Sequence, residues 1–520
     1  MGILRSYLSL AHAGWVLVRE GVLSELPSDA MPPSAKFAHK VAGVIARKQS
    51  KDREQSERLS IALNKLGPSW IKLGQFLATR PDVVGKATAC DLALLHDSVE
   101  PFGLEEAKQR VADSINRPIE DIYSDISEPI AAASVAQVHK AVLKDTGETV
   151  AVKVIRPGVR ARFRKDMQTF YAAAGLVDKT IEEAHRLKPI SVVDMLDQSA
   201  KIEMDLRLEA AAFSEMGENI KDDPGFRVPE VNWEFTGRDC ITMTWIDGIK
   251  LSNVDALREA GHDLEALSVT LIQSFLRHTL RDGFFHADMH PGNLFVDAKG
   301  DIVAVDLGIA GRLGKDERRF LAEILYGFIK RDYMKVAQVH FDAGYVPPHH
   351  DVASFAQAIR AIGEPIHGQS AETISMAKLL TLLFEVTEIF DMQTRPELLL
   401  LQKTMVVVEG VARTLDPSFN MWKSAEPVVG SWIAENLGPV GILEDAKEGL
   451  DAALRLAHQM PKLAKRTELL SDHMQGMIAN GMKLDPETTE AIGKAEAKNN
   501  RWGHIALWVI AGLLAWNIFS

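Results

Sequence analysis

Residues 284–296 read FFHADMHPGNLFV, and four residues later 301–311 read DIVAVDLGIAG. Short apolar runs bracket a polar loop, and the last run ends on Asp306-Leu307-Gly308. Asp288 and Asn293 are separated by four residues. Each piece alone is ordinary, because a loop Asp ahead of an Asn often caps a turn and Asp-Leu-Gly is a common β-turn. In this order, between short strands, they form a set of carboxylate, amide and carboxylate. Phosphoryl transfer needs a carboxylate near the attacking oxygen, and an amide plus a carboxylate to hold Mg²⁺ against the phosphates. Asp288, Asn293 and Asp306 fit those three roles in that order.

The spacing D-x-x-x-x-N followed by D-x-G matches the catalytic loop and metal-binding turn of protein kinases. A lobe of that kind uses a strand lysine to hold the α and β phosphates, and upstream the sequence VAVK ends in Lys153. An exposed strand lysine is common, so its place in the series carries the assignment. The lysine's partner should be a helix glutamate, and KIEMDLRLEAAAF offers Glu203, Asp205 and Glu209. Glu209 is the expected ion-pair partner of Lys153. From spacing alone Glu203 and Asp205 read as a solvated acidic face. No glycine-rich loop precedes Lys153; Ala131, Ala132, Ala133, Ser134, Val135 and Ala136 stand in its place.

The wider sequence sets limits on function. With 520 residues, 46% hydrophobic and 25% charged, the chain is long enough for two or more globular domains. Its 59 basic and 71 acidic residues give a net charge of −12, which argues against nucleic acid as a partner. Cys90 and Cys240 lie far apart in no CxxC or Cys/His pattern, as expected of a reducing compartment. His286 and His290 flank Asp288, and His349-His350 follow two prolines on an expected surface loop. These histidines make no recognisable metal-ligand cluster in sequence. The start of the chain lacks a secretory cleavage site. From Gly503 to Phe519 the chain is almost wholly apolar, about the shortest length able to span a bilayer. Lys494, Lys498 and Arg501 precede it, which would keep the bulk of the chain on the cytoplasmic side.

Patterning divides the rest. A helical segment over 1–50 and a helical extension over 51–125 lead in. The run from Pro129 to Val154 reads as two strands joined at Asp145, Thr146 and Gly147, opening a lobe over 126–250. A mostly helical lobe over 251–430 has short strands only around NLFVDAKGDIVAVDLG. A helical tail over 431–502 and the apolar segment 503–519 complete the order. The expected class is α+β, a bilobal, atypical protein-kinase-like fold with a helical N-terminal extension and a C-terminal hydrophobic helix. One stretch in the extension, NKLGPSWIKLGQFLATRPD, combines helical periodicity with Gly67, Pro68 and Gly74. A mid-helix glycine costs roughly 0.5–1 kcal/mol relative to alanine, so Gly74 asks for a boundary or a close backbone approach. Lys72 and Gln75 share one face beside it.

The segments KLGPSWIKLGQ, AAASVAQVH, VAVKV, EMDLRLEA, HADMHPGN and VDLG, spread over about residues 60 to 310, together resemble the UbiB family of atypical protein-kinase-like proteins associated with ubiquinone (coenzyme Q) biosynthesis. The resemblance implies ATP or ADP and Mg²⁺ as cofactors. It also implies that the Lys-x-Gly-Gln helix is a lid, with Lys72 and Gln75 facing the nucleotide pocket and meeting Glu203 and Asp205, and with Gly74 permitting close approach. The implied partners are membrane lipid or polyprenyl-phenol intermediates, other ubiquinone biosynthesis proteins and a second copy of the chain. The implied location is the inner (cytoplasmic) membrane. Many bacterial members carry two terminal hydrophobic helices where this sequence shows one. Two other functions compete: a small-molecule kinase of the aminoglycoside/choline phosphotransferase type, and a non-catalytic lipid-binding scaffold. A direct hydroxylase is disfavoured, since no strand is followed by G-x-G-x-x-G for a flavin.

Overall fold

The computed structural model describes residues 2–22, 55–78, 100–180, 188–368 and 396–438, with isolated positions at 84, 88, 91–92, 386 and 389–392. The chain divides into the units Met1–Ile433 and Ala434–Ser520, and the architecture below is that of the first. The expected membrane helix over 503–519, most of the expected tail over 431–502, and Cys90 lie outside the described residues. Among the described residues no helix is long and apolar enough to cross a membrane.

Among the described residues three helices lead in: α1 (Gly2–Arg19), α2 (Gln55–Leu66) and α3 (Pro68–Ala78). Gly67 separates the last two with φ of 102°, a backbone conformation that side chains rarely adopt. A Cβ there would also lie 2.0 Å from Nη2 of Arg162, which donates to the Leu66 carbonyl at 3.0 Å. Pro68 then opens α3, where its missing N–H costs no helical hydrogen bond. The glycine and proline are therefore a helix break. Gly74 is buried inside α3 with Ile71 and Lys72, and Trp70 sets its ring edge-on to Phe170 at 4.8 Å.

Helix α4 (Leu104–Ile115) precedes β1 (Tyr123–Ala132), β2 (Ala136–Leu143) and β3 (Thr149–Ile155). Helices α5 (Val159–Thr180), α6 (Pro189–Glu203) and α7 (Leu206–Asn219) follow. After them come the short strands β4 (Phe226–Arg227), β5 (Val231–Asn232), β6 (Cys240–Thr244) and β7 (Gly248–Lys250). The first lobe is a five-stranded sheet in the order β1-β2-β3-β6-β5. Side chains alternate faces along a strand. Val150, Val152 and Val154 accordingly pack on one side with Val111 of α4, while Ile155, Ile241 and Met243 join Leu206, Phe213 and Met216 of α7 on the other.

The sequence expected two strands between Pro129 and Val154; the structure has three. Ala131 and Ala132 lie in β1, with Ala131 opposite Val138, and a tight turn over Ala133–Val135 is closed by Ala133 N–H donating to the Ala136 carbonyl at 2.8 Å. Alanine carries little strand propensity, so this hairpin gave no signal beyond its neighbours.

The second lobe contains α8 (Val254–Glu259), α9 (Leu264–Arg277), β8 (Phe284–His286), β9 (Leu294–Asp297), β10 (Ile302–Ala304) and β11 (Ala310–Arg312). It continues through α10 (Lys315–Lys330), α11 (Tyr333–Asp342), α12 (Val352–Gly368), α13 (Pro396–Leu415) and α14 (Met421–Asn436). Asp263 starts α9 by accepting from Ala266 N–H at 3.0 Å, and Phe275 of that helix meets Phe285 of β8 edge-on at 5.9 Å. Both rings are fully buried, each contributing roughly 1.5–3 kcal/mol. The strands pair as a four-stranded sheet, β4-β10-β9-β7, and as the two-stranded β8-β11. Strands β8 and β11 were not expected, because three-residue strands are too short to show a period. Their pairing brings the two polar turns together.

Candidate functional site

The hairpin registers place the polar set. Ala304 pairs with Leu294, so Asn293 and Asp306 sit just beyond the same end of β9 and β10, joined by Val305 N–H donating to the Asn293 carbonyl at 3.0 Å. His286 pairs with Ala310, and Ala287 N–H reaches the Ile309 carbonyl at 3.0 Å, which puts Asp288 beside the Asp306-Leu307-Gly308 turn. Asn293 donates its side-chain amide to the Asp288 carbonyl at 3.3 Å. Gly308 N–H donates to Asp306 Oδ1 at 2.8 Å.

Across from this turn, Lys153 Nζ lies 2.7 Å from Glu209 Oε1 and 3.0 Å from Asp306 Oδ2. One ammonium thus joins strand β3, helix α7 and the turn after β10. Burial disfavours its charge, but Asp306 and Glu209 outweigh that and hold Lys153 above its ordinary value. Burial also raises Asp306, yet Lys153 and the Gly308 N–H reverse this and hold it well below the usual carboxylate range. For Glu209 burial prevails: its pKa is pushed up to about 7, with Lys153 pulling it down and Asp306 adding to the rise. The sign of the linkage follows. A carboxyl raised from 4.5 to about 7 contributes stability that is present below the ordinary value and lost as pH rises through the folded one. The thermal midpoint of Glu209→Gln relative to wild type should therefore rise between pH 5 and pH 8; an unchanged difference would remove Glu209's charge from the balance.

By donor chemistry the set suits a hard divalent cation. Asp306 is a carboxylate with 38% of its side chain exposed, and Asn293 spends its nitrogen on Asp288, leaving its side-chain oxygen as a ligand. Asp288, with 35% of its side chain exposed, has His290 Nε2 3.8 Å from its Oδ2. Buried His286 accepts the Asp288 N–H on Nδ1 at 3.3 Å, and burial, outweighing Asp288 and Asp306, lowers its pKa and keeps the ring neutral.

The alanine hairpin roofs the lysine. Ala131, Val138, Lys153 and Ile241 form one row across β1, β2, β3 and β6, so Ala131 and Val138 share the lysine's face. Ala131 is exposed and Ala132 and Ala133 half-buried, whereas Ser134, Val135 and Ala136 are buried. Only the first three of these six offer surface to a ligand. Arg156 holds the turn by donating from Nε to the Ala133 carbonyl at 2.8 Å.

Lys72 of α3 forms a buried ion pair with Glu203 at 2.5 Å, and Gln75 is half-buried one turn on. Asp205 corrects the expected acidic pair: it caps α7 by accepting from Arg207 N–H and pairs with the Arg207 guanidinium at 2.7 Å. A cap aspartate four residues before Glu209 satisfies free helix N–H groups, so its carboxylate is spent locally. Lys72 therefore grips the end of α6, and the cap begins the helix that carries Glu209. Through that junction Lys72→Ala should change turnover or nucleotide preference by about two- to thirtyfold. Unaltered nucleotide kinetics would reduce α3 to a packing helix.

A small antiparallel sheet over a helical lobe, with a strand lysine bridging a helix glutamate and a turn aspartate, defines a kinase-like protein of the atypical kind, lacking the glycine-rich loop. The ABC1 atypical kinase-like domain matches residues 94–340, and the UbiB helical domain matches 359–420. Proteins described as probable protein kinase UbiB from Marinobacter nauticus and Photobacterium profundum are similar to this chain. They are 37% and 38% identical over 87% and 89% of it, and 84% and 85% of their own lengths. The chain belongs to the UbiB family of atypical kinase-like proteins. Among solved structures, that of Rv3197 from Mycobacterium tuberculosis in complex with erythromycin shares the fold. Its TM-score is 0.52 at 22% identity, covering 73% of this chain and 98% of that one.

The sequence reading missed the contribution of α13, which lies in the UbiB helical domain. Thr404, fully buried there, donates Oγ1 to the Ala287 carbonyl at 3.0 Å, one residue before Asp288, and also lies 2.8 Å from the Leu400 carbonyl. Trp432 Nε1 reaches the Leu280 carbonyl at 2.8 Å and Gln273 Nε2 the Ser424 carbonyl at 3.1 Å. No sequence signal separates such a threonine from any other core residue. Thr404→Val keeps the volume and removes the donor, costing roughly 1–3 kcal/mol for the buried carbonyl it leaves. Turnover should fall severalfold with the nucleotide KM unchanged; equal loss in both would make Thr404 a mere packing residue.

Proposed function

We propose that this chain binds Mg²⁺ with ATP or ADP between its two lobes and turns nucleotide over as a membrane-associated atypical kinase or ATPase, in support of ubiquinone biosynthesis. The observation that carries this reading is the single ammonium of Lys153 shared by Glu209 and Asp306. Mg²⁺ at Asp306 and Asn293 would neutralise phosphate charge. With Asp306 holding a cation, Lys153 would be released from that carboxylate and, still held by Glu209, would be free to meet the α and β phosphates. Asp288 orients or deprotonates the attacking oxygen. Ala131 to Ala133 cover the phosphates, and their methyl groups limit how closely backbone amides can approach, which glycine would not.

Lys72 and Gln75, on a helix anchored at Glu203, act as a lid that obstructs a protein-sized acceptor and favours water or a small lipid. The family resemblance points to polyprenyl-phenol intermediates and other ubiquinone biosynthesis proteins as partners, and the apolar segment 503–519 to the inner membrane. The lid motif, as a mark of this family, and the apolar segment 503–519 weigh against a small-molecule kinase of the aminoglycoside/choline type. The test is phosphate release by purified full-length protein, with and without vesicles containing a polyprenylphenol. Release stimulated by those vesicles, with no labelled protein or lipid, supports the ATPase form. Absence of any nucleotide turnover in both conditions overturns the proposal.

A further inference from the structure

We propose that His349, His350 and Asp391 bind a divalent transition-metal ion, Zn²⁺ above all, where the kinase-like domain meets the helical domain. The sequence shows two adjacent histidines and no third ligand, because Asp391 lies 41 positions beyond His350. Folding brings them together. Nε2 of His350 lies 3.3 Å and Nε2 of His349 3.8 Å from the same Oδ2 of Asp391, and the three ligand atoms all fall within 4.8 Å of one another. Bonds of about 2.0–2.1 Å to a tetrahedral zinc ion set its ligand atoms roughly 3.3–3.5 Å apart. Closing the set requires side-chain rotation of about an ångström.

The scaffold beneath the ligands is well held. His350 N–H donates to the Pro347 carbonyl at 3.2 Å, and its ring rests on Phe390 at 5.3 Å. Phe390 packs edge-on against Phe355 of α12 at 5.0 Å, so the residue before Asp391 is fixed by the same helix that follows the histidine loop. Asp351 caps α12 by accepting from Ser354 N–H at 2.8 Å. Asp391 itself adopts φ of 48°, a left-handed conformation that aspartate tolerates better than most side chains, and its carboxylate there meets both histidines. His349 and Asp391 keep 66% and 68% of their side chains exposed, leaving the outer side of the set open for water as the fourth ligand.

A plain surface ion pair of imidazole and carboxylate is the competing account. The two differ in what they need: an ion pair needs protonated imidazole, whereas a metal needs the neutral ring with a free lone pair. The bound ion would tie the loop after the kinase-like match at 340 to the segment ahead of α13. Its role would be to fasten the helical domain, whose Thr404 reaches the loop carrying Asp288.

The experiment uses untagged full-length protein, freed of metal by chelation and held in excess Mg²⁺, which occupies oxygen-rich sites without competing for imidazole. Co²⁺ is the optical probe. The expected result is one Co²⁺ per chain with visible ligand-field absorption, displaced by Zn²⁺, and at least tenfold weaker in His350→Gln and in Asp391→Asn. Zn²⁺ should raise the thermal midpoint of wild type and leave both variants unmoved. His349→Gln, at an exposed position, provides the same test should the other variants fail to fold. No Co²⁺ absorption in wild type, or wild-type affinity in His349→Gln and the folded variants, would overturn the site.

Discussion

Asp306→Asn should abolish Mg²⁺-dependent nucleotide binding, weakening Mg²⁺-ATP by at least about a hundredfold. The carboxylate is the only anionic oxygen donor in the turn, and Mg²⁺ demands hard oxygen ligands. Its loss also changes the lysine: Lys153 keeps Glu209 but loses the partner at 3.0 Å, so the strand, helix and turn are no longer joined through one ammonium. Calorimetric titration with ATP in Mg²⁺ reads both effects together. Wild-type affinity in the variant would remove Asp306 from the site.

Asp288→Asn should do the reverse, leaving nucleotide affinity within about threefold while turnover falls by roughly 10²–10⁴, the contribution of a positioned general base. The substitution preserves the loop, because Asp288 is tied through its backbone: its N–H to His286 at 3.3 Å and its carbonyl to Asn293 at 3.3 Å. The side-chain carboxylate is half-exposed and free to meet an acceptor. Single-turnover and steady-state phosphate release check it. Turnover equal to wild type would remove Asp288 from the mechanism.

How far the sequence could be read depended on chain distance and on competing local roles. Asp288, Asn293 and Asp306 were legible as a set because the β9-β10 hairpin, enclosed in sequence by the antiparallel pair β8-β11, brings them together within one short stretch. Lys153 and Glu209 lie 56 positions apart, and Glu209 was chosen by its place in the series. Asp205 was assigned to the lid although an aspartate just before a helix already has a use, as the cap of α7. The alanine hairpin was invisible because its pairing is decided by neighbouring strands. Thr404 and Asp391 were beyond reach for another reason: each acts across the join between the kinase-like and helical domains, 117 positions from Ala287 and 41 from His350 respectively.

The central claim is that Lys153, Glu209, Asn293 and Asp306 make one Mg²⁺-nucleotide site. Its most direct test is calorimetric titration of purified full-length protein with ATP, in Mg²⁺ and again in excess chelator. One ATP per chain, bound at least tenfold more tightly with Mg²⁺ and lost in Lys153→Ala, is the predicted result; no binding, or the same affinity with and without Mg²⁺, would contradict it.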